Sequence, residues 1–304
     1  MDCLASLADE LPAGRVVVVD NGSDDGSAET LADAIRSRGW DRWAQLLPLD
    51  RNAGFAAGNN AALRQILAHP RPPDYCWLLN PDTVVRPGAG RALADSLDRN
   101  PRIGIVGSRL EGPDGTPQRS AFRFPSVLGE WENGFRFGPV SRLLRRHVVA
   151  PPVRSDAHVV DWVSGASLMV RRTVLDQIGL LDEGYFLYFE EVDLCRRAAR
   201  AGWRCCYVPE SRVVHLVSQS TGVDGGPARA QRKPKYWFAS RRRYFAKHHP
   251  QRDAFWADVG WAVGFAAWRL RNRVQRKPDT DPAGLLGDFV RYNFLRPRRE
   301  LSGY

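Results

Sequence analysis

Apolar and polar residues follow two recurring patterns from the first residues to about residue 217. Short continuous apolar runs, such as RVVVVD at 15–20 and DYCWLL at 74–79, are typical of buried parallel strands. Between such runs lie segments whose apolar residues are three and four apart, the spacing of a helix, and Gly39 and Gly202 close two of them. This alternation predicts an α/β fold: a mostly parallel sheet covered by helices on both faces.

The predicted elements follow one another in regular order. Predicted helices cover 2–10, 28–38, 57–68, 89–99, 173–179 and 190–201, and predicted strands cover 15–20, 43–50, 74–79, 102–110, 159–172, 203–209 and 212–217. Residues 111–156 are rich in Pro, Gly and Arg and show no clear period. We therefore predict a long functional loop or lid region there.

The composition changes after Gly226. Residues 233–249 mix aromatic and basic side chains, and 254–273 form an apolar stretch that is interrupted by Asp258 and flanked by arginines. The stretch suits a helix lying in a membrane interface, and it suits a core helix packed on the preceding domain equally well. We predict a first domain at 1–225 and a helical C-terminal extension at 226–304, a candidate membrane-surface anchor.

Composition and charge narrow the class of protein. The chain has 304 residues, of which 43% are hydrophobic and 26% charged, as in a globular protein with a sizeable core. Lys and Arg number 44 against 34 Asp and Glu, a net charge of +10. This excess suits polyanionic partners such as nucleic acid, anionic lipid or a diphosphate, and charge alone does not choose among them.

The cysteines and the apolar runs indicate the compartment. The five cysteines show no CxxC spacing, so neither a disulfide framework nor a zinc site is indicated, and a reducing cytoplasm is the simplest location. No secretory signal is recognisable, and no uninterrupted apolar run reaches the roughly 18 residues of a spanning helix. We expect a cytoplasmic protein that is soluble or peripheral on the inner face of the cell membrane.

The stretch LLNPDTVV at 78–85 places a carboxylate, Asp82, behind a proline at the end of an apolar strand. It has a simple interpretation as a turn, because Asn-Pro and Pro-Asp pairs both begin turns. It also has a functional one, because ligands of α/β proteins bind at the carboxyl ends of strands. The residues alone leave both open.

Further acids and a histidine occupy similar positions. Asp20 ends the strand RVVVVD, Glu190, Glu191 and Asp193 open a predicted helix, and His215 ends the strand RVVH. Each has a structural explanation: an Asx turn, charges that complement a helix dipole, or a buried histidine. Their joint placement at one sheet edge favours a site.

Several segments together resemble the family 2 glycosyltransferases, which are inverting enzymes with the GT-A fold, and within them the bacterial rhamnosyltransferase-like members. The resemblance spans residues 3–221 in the family's order. The segments that carry it are VVVVDNGSDDGS (16–27), DRNAGFAAGNN (50–60), LLNPDTVV (78–85), WVSGASLMVRR (162–172), GYFLYFEEVDLCRRAARAGW (184–203) and VPESRVVH (208–215).

The resemblance implies roles for three chemically active residues. It implies that Asp82 contacts a divalent cation, Mn²⁺ or Mg²⁺, and that His215 completes the metal shell. Such a cation neutralises the charge that builds on a departing diphosphate. It further implies that Glu191 is the base that deprotonates the acceptor hydroxyl, although most members have an Asp there, one methylene shorter.

The resemblance also implies two sets of binding residues. Arg51 is expected near the base or phosphate, and Asn80 marks the rhamnosyltransferase-like branch. Trp162 also suits an ordinary core position, and the charge of Asp193 at the start of a predicted helix is also explained by the helix dipole. The nucleotide-sugar set is Asp20, Gly22, Ser23, Arg51, Asn52, Asn80 and Asp82, and the set lining the wall where donor and acceptor meet is Trp162, Ser164, Gly165, Glu190 and Asp193.

The chain departs from the family at its beginning. Members start with an apolar strand and a Tyr-Asn turn that precede the helix resembling DCLASLADE (2–10), and this stretch is absent here. Its loss would leave unpaired backbone groups beside the strand that ends at Asp20. Either Met1 is an internal methionine or the protein is impaired, and we favour the first explanation.

The expected function is metal-dependent, inverting transfer of rhamnose or a similar deoxysugar. The donor would be a dTDP- or UDP-sugar, and the acceptor a cell-envelope glycan or a polyprenyl-diphosphate-linked glycan. The alternative is a non-catalytic relative that binds a nucleotide-sugar or glycan. Nucleic acid is not an expected partner, because the sequence contains no recognised nucleic-acid-binding module.

Overall fold

The computed structural model describes residues 1–8, 10, 14–216, 232–278 and 281–295. Its helices are α1 (Asp2–Leu7), α2 (Ser27–Ser37), α3 (Phe55–Leu67), α4 (Ala89–Arg99), α5 (Val127–Phe135), α6 (Gly138–Leu143), α7 (Arg172–Ile178), α8 (Glu190–Arg200), α9 (Lys235–His248), α10 (Gln251–Val274) and α11 (Leu285–Val290). Its strands are β1 (Val16–Asp20), β2 (Ala44–Pro48), β3 (Tyr75–Leu79), β4 (Thr83–Val85), β5 (Ile103–Glu111), β6 (Ala121–Phe122), β7 (His158–Val160), β8 (Trp162–Val163), β9 (Ser167–Arg171) and β10 (Arg204–His215). The predicted alternation of strands and helices, and with it the α/β fold, is confirmed.

The strand directions differ from the predicted mostly parallel sheet. The main sheet has the order β3-β9-β5-β10-β4, with β7 also paired to β10, and β1 pairs with β2 in a separate parallel ribbon. Among neighbouring strands in the described part of the main sheet, β5 and β10 form the one parallel pair, while β9 runs antiparallel to both β3 and β5. Apolar runs show that a strand is buried on both faces, but they carry no information about its neighbours' direction.

The two short strands predicted at 203–209 and 212–217 form one long strand, β10. Its pairing with β5 shifts register between Val208 and Arg212, and Pro209 lies within that irregular segment. Proline lacks the amide that a regular ladder requires, so it is accommodated in a bulge. The proline therefore interrupts the ladder without ending the strand.

The predicted irregular region at 111–156 contains two helices, α5 and α6, so that prediction was wrong in part. The hydroxyl of Ser126 accepts a hydrogen bond from the Gly129 amide at 3.2 Å and caps α5. Gly129 and Gly134 lower the intrinsic helix propensity of this segment. Tertiary packing outweighs that low propensity.

The chain divides into two compact units. Unit 1 comprises 1–121 and 153–216, and unit 2 comprises 122–152 and 217–304. Unit 2 thus includes a segment that our prediction placed in the first domain, 1–225. The sequence does not reveal this grouping, because the two segments of unit 2 are far apart along the chain.

The core of unit 1 lies between the main sheet and the helices that cover it. Leu93 and Leu97 of α4 are fully buried and pack with Val106 of β5 and Met169 of β9. Beside the edge strand β4, the Ser6 hydroxyl of α1 accepts a hydrogen bond from the Val85 amide at 3.0 Å. An edge amide is thereby satisfied by a side chain.

Unit 2 is built around the packing of α5 on α10. A methyl group at Gly260 would lie 2.1 Å from the Trp131 indole, and one at Gly264 would lie 2.6 Å from the Phe135 amide nitrogen. Gly134 similarly meets the Trp261 carbonyl oxygen at 2.7 Å. The two backbones therefore approach so closely that a side chain at any of these glycines requires the helices to move apart.

A buried arginine connects three helices of the same unit. Arg241 of α9 is 2% exposed and bonds Glu130 of α5 at 2.8 Å and Asp258 of α10 at 2.5 Å. Its guanidinium also lies over the rings of Phe245 and Phe289.

Among the described helices, none is both long and apolar enough to cross a membrane.

Candidate active site

Asp82 and His215 come together because of the pairing of β4 with β10. Asp82 lies in the turn between β3 and β4, and the antiparallel register sets Thr83 opposite His215, the last residue of β10. Asp82 Oδ1 then lies 3.5 Å from His215 Nε2. The Thr83 hydroxyl donates to the Asn80 carbonyl oxygen at 2.7 Å and holds the turn closed.

The donor set at this turn fits a hard divalent cation. A carboxylate oxygen and an imidazole nitrogen at this separation can bind one ion together. Within the described ranges, no cluster of three or more His, Cys, Asp or Glu side chains could hold a metal ion alone. The buried Asn80 Oδ1 has no hydrogen-bond partner in the described part of the chain. Among the described residues at this turn, Asp82 and His215 are therefore the ones suited to hold such an ion.

Glu191 lies beside Gly165, one of the predicted wall residues. A methyl group at Gly165 would lie 3.7 Å from both Glu191 Cβ and the Phe55 ring, which is ordinary contact distance. The next residue, Ala166, accepts a hydrogen bond through its carbonyl oxygen from the Asn80 amide at 3.1 Å. The turn that carries Asp82, the 164–166 turn and the start of α8 are therefore neighbours.

Both glutamates at the start of α8 have raised pKa values. Burial raises the pKa of Glu191 to about 7, and the backbone amides of Glu191, Val192 and Gly165 oppose part of that increase. Burial, followed by the charge of Glu191, raises the pKa of Glu190 well above its usual range. A carboxylate with a pKa of about 7 is suited to act as a base near neutral pH, which singles out Glu191.

The segment before α8 has a strained backbone. Tyr188 and Phe189 have φ angles of 71° and 72°, in the left-handed region that side chains other than glycine rarely adopt. Such strain persists only where surrounding contacts enforce it, and it is common at functional sites. The two residues set the direction in which the chain enters α8.

Five of the seven residues predicted to bind the nucleotide-sugar lie on two adjacent loops, and the other two, Asn80 and Asp82, lie in the turn between β3 and β4. Asp20 is buried at the end of β1, and its Oδ2 accepts from the Ser23 amide at 3.1 Å, as in an Asx turn. Gly22 has a φ of 74°, and a methyl group there would lie 2.5 Å from the backbone of Arg51. The loop after β1 and the loop before α3, which carries Asn52, therefore touch.

Four residues that we had not predicted connect these loops with each other and with the segment before α8. Asn21 donates to Asn52 Oδ1 and to the Gly54 carbonyl oxygen, both at 3.1 Å. The Phe55 amide donates to the Phe186 carbonyl oxygen at 2.7 Å, and Gly54 packs on the backbone of Phe186. Asn21 could have been found, because a side-chain amide after a strand-ending acid can both donate and accept. Nothing local in the sequence indicates the contact between Gly54 and Phe186.

The remaining predicted wall residues have structural contacts. Asp193 is fully buried and accepts from Arg197 Nε at 2.7 Å, and Arg197 also donates to the Leu180 carbonyl oxygen at 2.6 Å. The Ser164 hydroxyl accepts from the Ala166 amide at 3.3 Å and shapes the turn. Trp162 is partly buried in β8. The Asp193 carboxylate is thus used in anchoring α8.

Comparison with known proteins gives consistent matches. The family model described as "Glycosyltransferase like family 2" matches residues 1–243. An N-acetylglucosaminyl-diphospho-decaprenol L-rhamnosyltransferase of Mycobacterium tuberculosis is 33% identical over 286 residues, covering 88% of this chain and 83% of that relative. The rhamnosyltransferase WbbL of Escherichia coli is 28% identical over 167 residues, covering 54% of this chain and 61% of WbbL.

Solved structures with a similar fold are also found. GalNAc-T7, crystallised with UDP, GalNAc and Mn²⁺, superposes with a TM-score of 0.56 at 15% identity, covering 96% of this chain and 51% of its own. The mannosyltransferase PcManGT of Pyrobaculum calidifontis, in complex with GDP-Man and Mn²⁺, gives a TM-score of 0.51 at 15% identity, with coverage of 90% and 70%. This chain spans about half the length of the first structure, and at these identities the likeness concerns the fold.

Proposed function

This chain belongs to the glycosyltransferase-like family 2 and is a rhamnosyltransferase-like glycosyltransferase, and on that premise we propose its donor, acceptor and mechanism. The donor is dTDP-rhamnose or a similar dTDP- or UDP-deoxysugar. The acceptor is a polyprenyl-diphosphate-linked glycan or another cell-envelope glycan, met at the cytoplasmic face of the membrane. The similarity to the mycobacterial enzyme, whose name states a diphospho-decaprenol acceptor, supports this choice.

The observation that carries the mechanism is the position and pKa of Glu191. Its carboxylate lies beside Gly165, at the same edge as Asp82 and His215, and its pKa of about 7 leaves it able to accept a proton at neutral pH. Glu191 takes the proton of the acceptor hydroxyl as that oxygen attacks the anomeric carbon. Attack from the face opposite the leaving diphosphate inverts the configuration.

Asp82 and His215 would hold Mn²⁺ or Mg²⁺. When bound, such an ion neutralises the negative charge that develops on the departing diphosphate. Asn80 brings an amide without charge, so it would accept a hydrogen bond from ribose or water. His215 must be neutral to act as a ligand.

The two loops near β1 would bind the nucleotide. Asp20, Gly22 and Ser23 would contact the base, while Arg51 and Asn52 would contact the base or the phosphates. The contact between Gly22 and the Arg51 backbone supports this, because it brings both loops to one place. The wall between donor and acceptor would consist of Trp162, Ser164, Gly165 and Glu190, with Asp193 supporting α8 from behind.

Two substitutions test the proposed site directly. With dTDP-rhamnose, Mn²⁺ and a short-chain polyprenyl-diphosphate GlcNAc acceptor, we expect Asp82→Ala and Glu191→Gln each to lower kcat by about 10² to 10⁴, the usual contribution of such groups. Chelation of the metal should also stop transfer by the unaltered protein. The matched control is Glu210→Gln, the same change at an exposed position outside the site, which should retain full activity.

Product analysis distinguishes the alternatives. An NMR coupling constant that shows retention at the anomeric carbon would exclude the inverting mechanism. Undiminished transfer by both site variants would overturn the assignment of Asp82 and Glu191. Calorimetric binding of dTDP with Mn²⁺ without any turnover would instead identify a nucleotide-sugar-binding relative.

A further inference from the structure

The long helix α10 is apolar on two opposite faces. It comprises 24 residues, so it is about 36 Å long. One face, which includes Gly260, Trp261 and Phe265, is buried within unit 2. A helix that packs through one apolar stripe normally presents charged or polar residues on the other side, but the exposed residues of α10 between Phe255 and Leu270 are all apolar.

The outer face of α10 carries a stripe of large apolar side chains. Trp256, Val263, Leu270 and Val274 are 53%, 50%, 65% and 76% exposed and recur at intervals of seven and four residues. This spacing places them on one side of the helix. Val259, partly buried, lies between them on the same side. No charged residue interrupts the stripe from Trp256 to Val274.

Basic side chains border the stripe at both ends. Arg252, which is 84% exposed, lies one turn before Trp256 on the same side of the helix. At the other end Arg273, Arg276 and Lys277 are exposed around and beyond Val274. Lys and Arg in such positions extend their charged groups to lipid phosphates while their stems cover apolar surface.

The charge of the two units is strongly unequal. Unit 2 carries 23 Lys and Arg residues against 9 Asp and Glu residues, a formal charge of +14, whereas unit 1 carries 21 against 25, a formal charge of −4. All of the net positive charge of the chain therefore belongs to the unit that contains the stripe. Such a unit is attracted to an anionic surface.

We propose that the outer face of α10 docks on an anionic lipid bilayer, with the helix lying parallel to the surface and its apolar stripe inserted among the headgroups. A second copy of this chain is the less suitable occupant, because association through the stripe would bring two units of +14 together. The biological purpose of the docking, to bring the protein to a lipid-linked acceptor, rests on the proposed function. The docking itself rests on the stripe and the charge.

Co-sedimentation of the full chain with vesicles tests the docking without any reaction. We expect binding to phosphatidylcholine vesicles that contain about 30% phosphatidylglycerol, weak binding to pure phosphatidylcholine, and a loss of binding as salt increases. Val263→Glu should lower the partition coefficient about tenfold or more, because it places a charge at the centre of the stripe. The matched control is Val159→Glu in unit 1, where the valine is 55% exposed against 50% for Val263. It should bind as the unaltered protein does.

Three outcomes would overturn the proposal: no binding to the anionic vesicles, equal binding by Val263→Glu, or equal loss of binding by both variants. Light scattering tests whether a second copy of this chain covers the stripe instead. A protein that does not bind vesicles but forms a dimer, which Val263→Glu converts to a monomer, would show an interface between copies. Measurements of sugar transfer distinguish a failure of the docking from a failure of the proposed function. Val263→Glu should transfer sugar to a short-chain acceptor in solution normally, and transfer to an acceptor embedded in anionic vesicles should fall. Vesicle binding by a protein that transfers no sugar would support the docking and refute the proposed function.

Discussion

At the scale of single residues, burial determines the acidity of Glu190 and Glu191. They are adjacent in a buried environment, where two negative charges are costly, and burial raises the pKa of both. Backbone amides oppose part of the increase at each residue. The pKa of Glu191, about 7, suits this carboxylate to the proposed role of base.

The pKa of Glu191 predicts the pH dependence of transfer. The base must be ionised to accept a proton, and burial has raised its pKa to about 7. We expect kcat/KM to fall about tenfold per pH unit below about pH 7 and to level off above it. Initial rates measured between pH 5 and pH 9 check this, and a profile that is flat from pH 5 to pH 7 would contradict the role of Glu191.

At the scale of elements, the site depends on contacts between loops that are distant in sequence. Gly54 has a φ of 90°, and a methyl group there would lie 2.3 Å from the Phe186 carbonyl oxygen. The loop before α3 and the segment before α8 can be neighbours only because this position lacks a side chain. The loop proposed to bind the donor and the helix that carries the proposed base are thus coupled through a single glycine.

Gly54→Ala should damage both stability and activity. The clash must separate the loop from Phe186, so we expect a lower melting temperature and a kcat/KM at least about tenfold lower. Gly26→Ala is the matched control, since Gly26 has a similar φ of 82° but nothing lies within 4 Å of an added methyl group. It should cost only the backbone strain, about 1 kcal/mol, and leave kcat/KM unchanged. Equal effects of the two substitutions would show that the contact with Phe186 is unimportant.

The elements also show what the sequence could and could not predict. The boundaries of α4 were predicted correctly, because its apolar spacing and its ends are local features. The placement of β9 between β3 and β5, the continuity of β10 past Pro209 and the helix α5 were missed, because each depends on partners distant in the chain. For the site, residue types at strand ends pointed to Asp82 and His215. Asn21 was missed, although a side-chain amide that follows a strand-ending acid is a local signal.

At the scale of the whole molecule, a buried ion cluster holds together the two separated segments of unit 2. Glu130 comes from 122–152, while Arg241 and Asp258 come from 217–304. Burial raises the pKa of Glu130, although the charge of Arg241 lowers it in part. The cluster is thus costly to desolvate and depends on all three members.

Removing the arginine alone should destabilise the protein strongly. Arg241→Met takes this guanidinium away from the buried Glu130 and the partly buried Asp258, for which we expect a loss of about 3–5 kcal/mol in the free energy of unfolding. The triple variant Arg241→Met, Glu130→Leu and Asp258→Leu should recover most of that loss. Arg243→Met, at an exposed position of the same helix, is the control. Chemical denaturation followed by circular dichroism measures all three, and a triple variant no more stable than Arg241→Met would refute this account.

The close approach of α5 and α10 also provides a way to recognise unit 2 in other proteins. Because a methyl group added at Gly134, Gly260 or Gly264 would lie 2.7 Å or less from opposing backbone or ring atoms, a change at one of them requires a compensating change on the facing helix. Chains that preserve the unit should therefore keep a glycine in the insertion between their strands together with a Gly-x-x-x-Gly pair about 125 residues later, even where the rest has diverged. The spacing of these three glycines is thus a sequence pattern with which genomes can be searched for this helix pair.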